Sequence, residues 1–346
     1  MLQNLDFTRF NELRKILPVL DTRSESEYAS GHIPGALNLP LFDDEERKVV
    51  GTIFRQSGKD EAILKGLDFA GKKLSVYVSK ALRHAPHRRV LLHCWRGGMR
   101  SSSLGWLLSI AGFDVHLLSG GYKAYRQFIR KEWLKDQEII IIAGKTGTGK
   151  TEILHHLQQS DQQIIDLEHF AHHKGSAFGS LGEIQQPTIE QFENDVADAW
   201  SAISASKPLW LEDESKAIGK VFIPDNLHYR MKNAAVICLD VPKKLRIERL
   251  TKEYAGYPKE MLIHSILKIN RRLGGQNAIM AVTAVEQDDF ATAIDIVLHY
   301  YDKAYEYDLT LKLKDKLHFL PVSTADAGEN AREVLSYCRK HQLIQT

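Results

Sequence analysis

Cys94 stands in the run His93-Cys94-Trp95-Arg96-Gly97-Gly98-Met99-Arg100-Ser101, after the apolar stretch Val90-Leu91-Leu92 and before a helical pattern from Ser102 to Leu108. A strand that passes through glycines into a helix aims backbone N–H groups and the helix N-terminus at whatever occupies the turn. Those dipoles, with Arg96 and Arg100 beside them and Gly97 and Gly98 shaping the loop, favour a thiolate that acts as a nucleophile or carries an extra chalcogen atom. Cys238, in an apolar strand pattern, and Cys338, in an amphipathic terminal helix, read as packing residues, which leaves Cys94 as the candidate nucleophile. Three cysteines without paired spacing argue against a disulfide framework or a zinc site, and no metal site is assigned.

The second chemically informative run is Gly144-Lys145-Thr146-Gly147-Thr148-Gly149-Lys150-Thr151, a complete Walker A pattern between the β-branched strand Glu138 to Ala143 and a helix from Glu152 to Leu157. Gly144, Gly147 and Gly149 let the backbone N–H groups cradle phosphate oxygens. Lys150 adds a point charge there, and Thr151 can reach a metal such as magnesium. The apolar Pro208 to Leu211 ends in Glu212-Asp213-Glu214, where a Walker B-like carboxylate would stand, and the sequence leaves open which of the three faces the phosphates. His169, His172 and His173 cluster before Gly175 without an assigned role.

These loops need an α/β frame. The 346 residues suffice for two cores, and 43% apolar with 26% charged residues is an ordinary globular composition. The predicted boundary lies near Lys135-Asp136-Gln137. This gives a first domain over 1–136, interrupted by a polar helical insertion over about 43–85, and a second over 137–346. Helical patterns are expected over Val241 to Tyr254, Lys259 to Leu273, Asp289 to Tyr305 and Asp326 to His341, a helical extension on a small parallel sheet. No apolar run approaches the ~20 residues of a membrane helix, and the N-terminus lacks a basic stretch followed by an apolar core, so a cytoplasmic protein without membrane association is expected.

Net charge is only +2, but basic residues cluster. Arg88, Arg89, Arg126, Arg130 and Lys131 are candidate contacts to a phosphate backbone, and a second basic region runs from Lys243 to Arg272. A solvated helical face is the alternative reading.

His-Cys, five residues, then Arg-Ser also fits the phosphate loop of cysteine phosphatases. Upstream, Asp21-Thr22-Arg23 and Gly31-His32-Ile33-Pro34-Gly35-Ala36 resemble the rhodanese domain, whose motifs occur here in the same order, and His32 reads as a turn residue. A rhodanese-like module fused to a P-loop module resembles the tRNA 2-selenouridine synthases over nearly the full length. The match rests on Cys94 to Ser101, Gly144 to Thr151, Asp166-Leu167-Glu168, His173 to Gly179, Glu212 to Ser215 and Arg272 to Gly275. Lys174 stands where that family's pattern has Arg.

The resemblance implies an α/β fold: an N-terminal rhodanese-like domain, then a P-loop NTPase-like parallel-sheet domain with a helical C-terminal extension. It implies a transferase of selenium-containing groups that replaces the sulfur of wobble 2-thiouridine in tRNA. Selenophosphate and geranyl diphosphate would be co-substrates, S-geranylation the activating step, and the selenophosphate-producing enzyme a partner. Other classes stay open: an ATP-coupled rhodanese-type tRNA sulfurtransferase, a cysteine phosphatase fused to a P-loop kinase, or a nucleotide-dependent RNA-binding switch.

Overall fold

A computed structural model describes residues 2–344 and divides the chain into two units, Met1–Trp133 and Leu134–Thr346. The first is built on five parallel strands, β1 (Leu2–Leu5), β2 (Val19–Asp21), β3 (Leu37–Asn38), β4 (Arg89–His93) and β5 (Asp114–Leu118), in the order β1-β5-β4-β2-β3. Val90, Leu91 and Leu92 of β4 are fully buried, which is why a continuous apolar run makes a central strand covered on both faces. The helices are α1 (Phe7–Leu13), α2 (Glu25–Ser30), α3 (Asp44–Gln56), α4 (Lys59–Gly71), α5 (Leu74–His84), α6 (Met99–Ile110) and α7 (Gly121–Glu132).

The expected insertion is thus three helices, α3 to α5. Asp43 and Glu46 form a capping box at the start of α3, fixing where the chain turns helical. Of the three, α5 packs into the core through Tyr77 and Ala81, and the Tyr77 hydroxyl donates to the Leu41 carbonyl at 2.6 Å. Helix α3 buries no residue and α4 only Ala62 and Gly66.

The second unit holds the parallel strands β6 (Ile139–Gly144), β7 (Gln163–Ile164), β8 (Leu209–Glu212), β11 (Ala235–Asp240) and β12 (Leu317–Pro321), ordered β12-β11-β6-β8-β7. The short pair β9 (Ala217–Ile218) and β10 (Val221–Phe222) is antiparallel. Helices α8 (Lys150–Gln159), α9 (Leu167–Ala171), α10 (Ile189–Ser201), α11 (Asp225–Lys232) and α12 (Lys243–Tyr254) precede α13 (Lys259–Lys268), α14 (Asn270–Leu273), α15 (Gly275–Glu286), α16 (Phe290–Thr310) and α17 (Ala327–Lys340).

Three helical expectations need correcting. The first helix starts at Lys243 because Pro242 occupies its N-cap, and the expected single helix over Lys259 to Leu273 breaks at Ile269 into α13 and α14. Helix α15 was not expected at all: Gly274 and Gly275 mask its start, and its small residues Ala278, Ala281 and Ala284 pack with α13 and α16. Among the described residues no helix is long and apolar enough to cross a membrane.

Candidate active site loops

Strand β4 delivers Cys94 to the end of the first sheet, and α6 leaves two residues after Gly97. Cys94 is buried, and its Sγ accepts from the Gly98 N–H and from the Ser101 hydroxyl, both at 3.2 Å. Both donors also suit an anion held against the sulfur. The loop rests on the start of α7: the Tyr122 N–H donates to the Cys94 carbonyl at 2.9 Å and the Lys123 N–H to that of Trp95 at 3.0 Å. Gly121, at φ +57°, lies so close that a Cβ there would fall 2.3 Å from the Cys94 carbonyl oxygen. Gly120 and Gly121 therefore shape the loop, and sequence reasoning missed them; the doubled glycine opening an amphipathic helix was the available signal.

Asp21 ends β2 beside His93 of β4. Arg23, fully buried, forks onto Asp21 at 2.6 Å, donates to the Gly31 carbonyl at 2.7 Å and lies 3.9 Å from the Tyr122 ring centroid, so this pair supports the loop from beneath. Burial alone would raise the Asp21 carboxyl; His93 and Arg23 hold it below the usual range. Burial pushes the His93 imidazole down, towards its neutral form, with Asp21 opposing. His32 stacks on Tyr28 and its Nδ1 lies 3.1 Å from the Tyr28 carbonyl, a turn role.

Arg96 is exposed at the mouth of the loop, whereas Arg100 is drawn to Glu27 at 2.5 Å. Burial works to raise Glu27, and Arg100, Ser24 and Arg47 overcome it and hold the carboxyl low. The charge of Arg100 is therefore already answered by the protein. Among the basic candidates, Arg88 donates to the Ala111 carbonyl and covers the Phe113 ring at 5.5 Å, so its side chain is committed to the fold. Arg89 lies 3.8 Å from Asp114, and on α7 Arg126 is half-buried while Arg130 and Lys131 are exposed.

In the second unit the glycine loop joins β6 to α8. Gly147 and Gly149 both have φ +84°, a left-handed conformation that glycine adopts without strain. Gly147 packs on Leu250, and Gly149 faces the Arg249 guanidinium, which pairs with Glu152. Arg246, buried and forked onto Asp302 at 2.7 and 2.8 Å, also donates to the Thr146 carbonyl, tying the loop to α12 and α16. Lys150 Nζ donates to the Gly144 carbonyl at 3.3 Å.

The three candidate carboxylates part company. The Thr151 hydroxyl donates to Glu212 Oε1 at 2.5 Å and lies 3.2 Å from Glu168 Oε2. Asp213 instead turns to Lys312 at 2.5 Å, and Glu214 meets Glu168 beside Gly175. Burial, then repulsion from Glu168 and Asp166, pushes the Glu212 carboxyl up to about 8. The same two causes raise Glu214, through burial and Glu168, and burial raises Glu168. Glu212 Oε2 is buried without a hydrogen-bond partner. Among the described residues no three His, Cys, Asp or Glu converge as a preformed metal centre. The set instead suits a magnesium ion held by one or two protein oxygens and completed by phosphates and water. Glu168 was not among the expected site residues, although Asp166-Leu167-Glu168 carries part of the family resemblance, because its 17-residue separation from Thr151 hides the contact between them.

Thr151, Glu168, Asp213 and Glu214 line a cleft of ≈ 660 Å³ that also takes in His169, Lys174, Arg272 and Tyr300, whereas Glu212 is fully buried and does not line it. Lys174 is paired with Glu253 at 2.5 Å. His172 Nδ1 lies 3.0 Å from the Gln185 carbonyl, and burial lowers His173.

Residues 137–342 match the family described as "tRNA 2-selenouridine synthase AAA domain", and residues 8–128 match the rhodanese-like domain. Curated relatives carry the name tRNA 2-selenouridine synthase. That of Shewanella piezotolerans is 35% identical over 87% of this chain and 92% of its own length. That of Bordetella petrii is 33% identical over 87% and 90%, respectively. That of Nitrosomonas europaea is 34% identical over 68% of this chain, and the match spans 63% of that protein.

Proposed function

The chain belongs to the tRNA 2-selenouridine synthase family, and from that premise we propose that it exchanges the sulfur of a wobble 2-thiouridine in tRNA for selenium in two steps, one at each loop. In the first, the thiocarbonyl sulfur attacks C1 of geranyl diphosphate. The S–C bond forms as the C–O bond breaks, diphosphate departs and the base gives up its N3 proton. The glycine loop and Lys150 are suited to take the charge that develops on the diphosphate. Thr151 and Glu168, which both line the cleft, would hold magnesium there, with Glu212 accepting from the Thr151 hydroxyl, and the ion would supply further charge to the leaving group.

Alkylation turns a poor leaving group into a good one. In the second step the selenium of selenophosphate attacks C2 of the base, geranylthiolate leaves, and water cleaves the P–Se bond to release phosphate and 2-selenouridine. The selenium of selenophosphate is already fully reduced, so moving it onto Cys94 as a perselenide would demand an oxidant. Electron balance therefore favours a loop that binds the donor anion against Cys94 over one that stores selenium. Gly98, Ser101 and Arg96 are the groups available to that anion.

The observation that carries the reading is the pairing, in one chain of this family, of a thiol-centred anion loop with a phosphate loop backed by Thr151 and Glu212. The test is a purified reaction of 2-thiouridine tRNA with geranyl diphosphate or with ATP, read by nucleoside mass spectrometry. Lys150→Ala removes a charge and leaves the frame, so S-alkylation should collapse while thermal stability holds. If product requires ATP and not geranyl diphosphate, the reading gives way to an ATP-coupled sulfurtransferase.

A further inference from the structure

The three-helix insertion leaves a groove that the two-step reading does not use. It has a volume of ≈ 540 Å³, within the range of about 300–1,000 Å³ typical of small-ligand sites. Its walls come from α3, α4 and the first turns of α6, and Leu41, Phe42, Val50, Phe54, Leu67 and Met99 make it apolar. Phe54, Leu67 and Met99 are more than half exposed, an apolar concentration that a chain keeps when something covers it. Lys48, Arg55 and Lys59 stand along it, and Arg47 lies 3.5 Å from Glu27. An apolar trough edged by cations fits an apolar chain attached to a polyanion.

The groove also begins where the chemistry does. Met99 and Arg100 line it, and they directly follow Gly98, whose N–H reaches Cys94 Sγ. The apolar pocket beside the glycine loop is no competitor, because its ≈ 30 Å³ holds only about two waters. We propose that the α3–α4–α6 groove holds the isoprenoid chain of the S-alkylated wobble base while selenium attacks at the Cys94 loop, with the flanking cations on the tRNA phosphates. This rests on the two-step reading and adds to it the place where the alkyl chain sits, the groove of the three-helix insertion.

Gly51 gives a clean test. It lies within α3, lines the groove, and a Cβ added there meets nothing within 4 Å, so Gly51→Leu fills the trough while favouring the helix. The probes are chemically S-geranylated tRNA and the same tRNA bearing plain 2-thiouridine, with binding read by fluorescence anisotropy. The wild-type protein should prefer the alkylated tRNA at least about tenfold, the equivalent of only two buried methylene groups. Gly51→Leu should erase the preference and leave binding of the plain tRNA unchanged, and Gly51→Ala should keep it. No preference in the wild type, or a preference that survives Gly51→Leu, overturns the proposal. Because the alkylated probe is supplied, failure of the two-step reading shows separately, as a wild-type enzyme that prefers alkylated tRNA yet makes none from geranyl diphosphate.

Discussion

Glu212→Gln should make the protein more stable, and only above mildly acidic pH. The Glu212 carboxyl is raised from 4.5 to about 8 by burial and by Glu168 and Asp166, so the folded state resists its ionisation. Below the unfolded value both states hold the proton and the residue costs nothing. As pH rises from about 4.5 to about 8 the unfolded chain ionises while the folded one keeps its proton, and the penalty grows until the folded group ionises too. At 1.36 kcal/mol per unit, the full penalty is roughly 3–5 kcal/mol. Glutamine removes the titration and still accepts from the Thr151 hydroxyl. Urea unfolding without divalent cations should therefore show nearly equal stability for wild type and variant at pH 5, and a gain of a few kcal/mol for the variant at pH 8.5. The same gain at both pH values, or none at pH 8.5, would refute the claim that Glu212 is a buried, charge-starved carboxyl.

Other consequences are quicker to check. Gly121→Ala drives a Cβ into the Cys94 carbonyl, so it should cost roughly 1–3 kcal/mol and abolish 2-selenouridine formation. Gly35→Ala, at φ +78° with open space around it, should cost about 1 kcal/mol of backbone strain and spare activity; equal effects in thermal melts and turnover would dismiss the loop contact. Arg88→Ala should lower stability by about 1 kcal/mol, through the lost Phe113 and Ala111 contacts, and leave tRNA affinity unchanged in a gel-shift titration. Reversing Arg130 and Lys131 to Glu should weaken tRNA binding and flatten its salt dependence, and an unaltered salt slope would clear α7 of backbone contact.

Local pattern carried much of the fold. Val90 to Leu92 and Ile139 to Ala143 read as strands because parallel strands covered on both faces stay apolar throughout, and the glycine runs after them mark the two loops. What stayed hidden was pairing across the chain. Arg100 meets Glu27 from 73 residues away, and Lys312 reaches Asp213 across 99 residues, so no reading of nearby charges foretold that the first is neutralised and the second turned aside. The insertion was legible as helices, but its groove arises from how α3 and α4, which bury little of their own surface, stand against α6.

The division of labour between the two loops is tested most directly by nucleoside mass spectrometry of 2-thiouridine tRNA incubated with Cys94→Ala, geranyl diphosphate and selenophosphate. The substitution removes one buried sulfur from a loop shaped by Gly97, Gly121 and backbone hydrogen bonds, so the protein should stay folded. S-geranyl-2-thiouridine should accumulate and 2-selenouridine should be absent. Loss of both products in a folded variant, or full retention of 2-selenouridine, would contradict it.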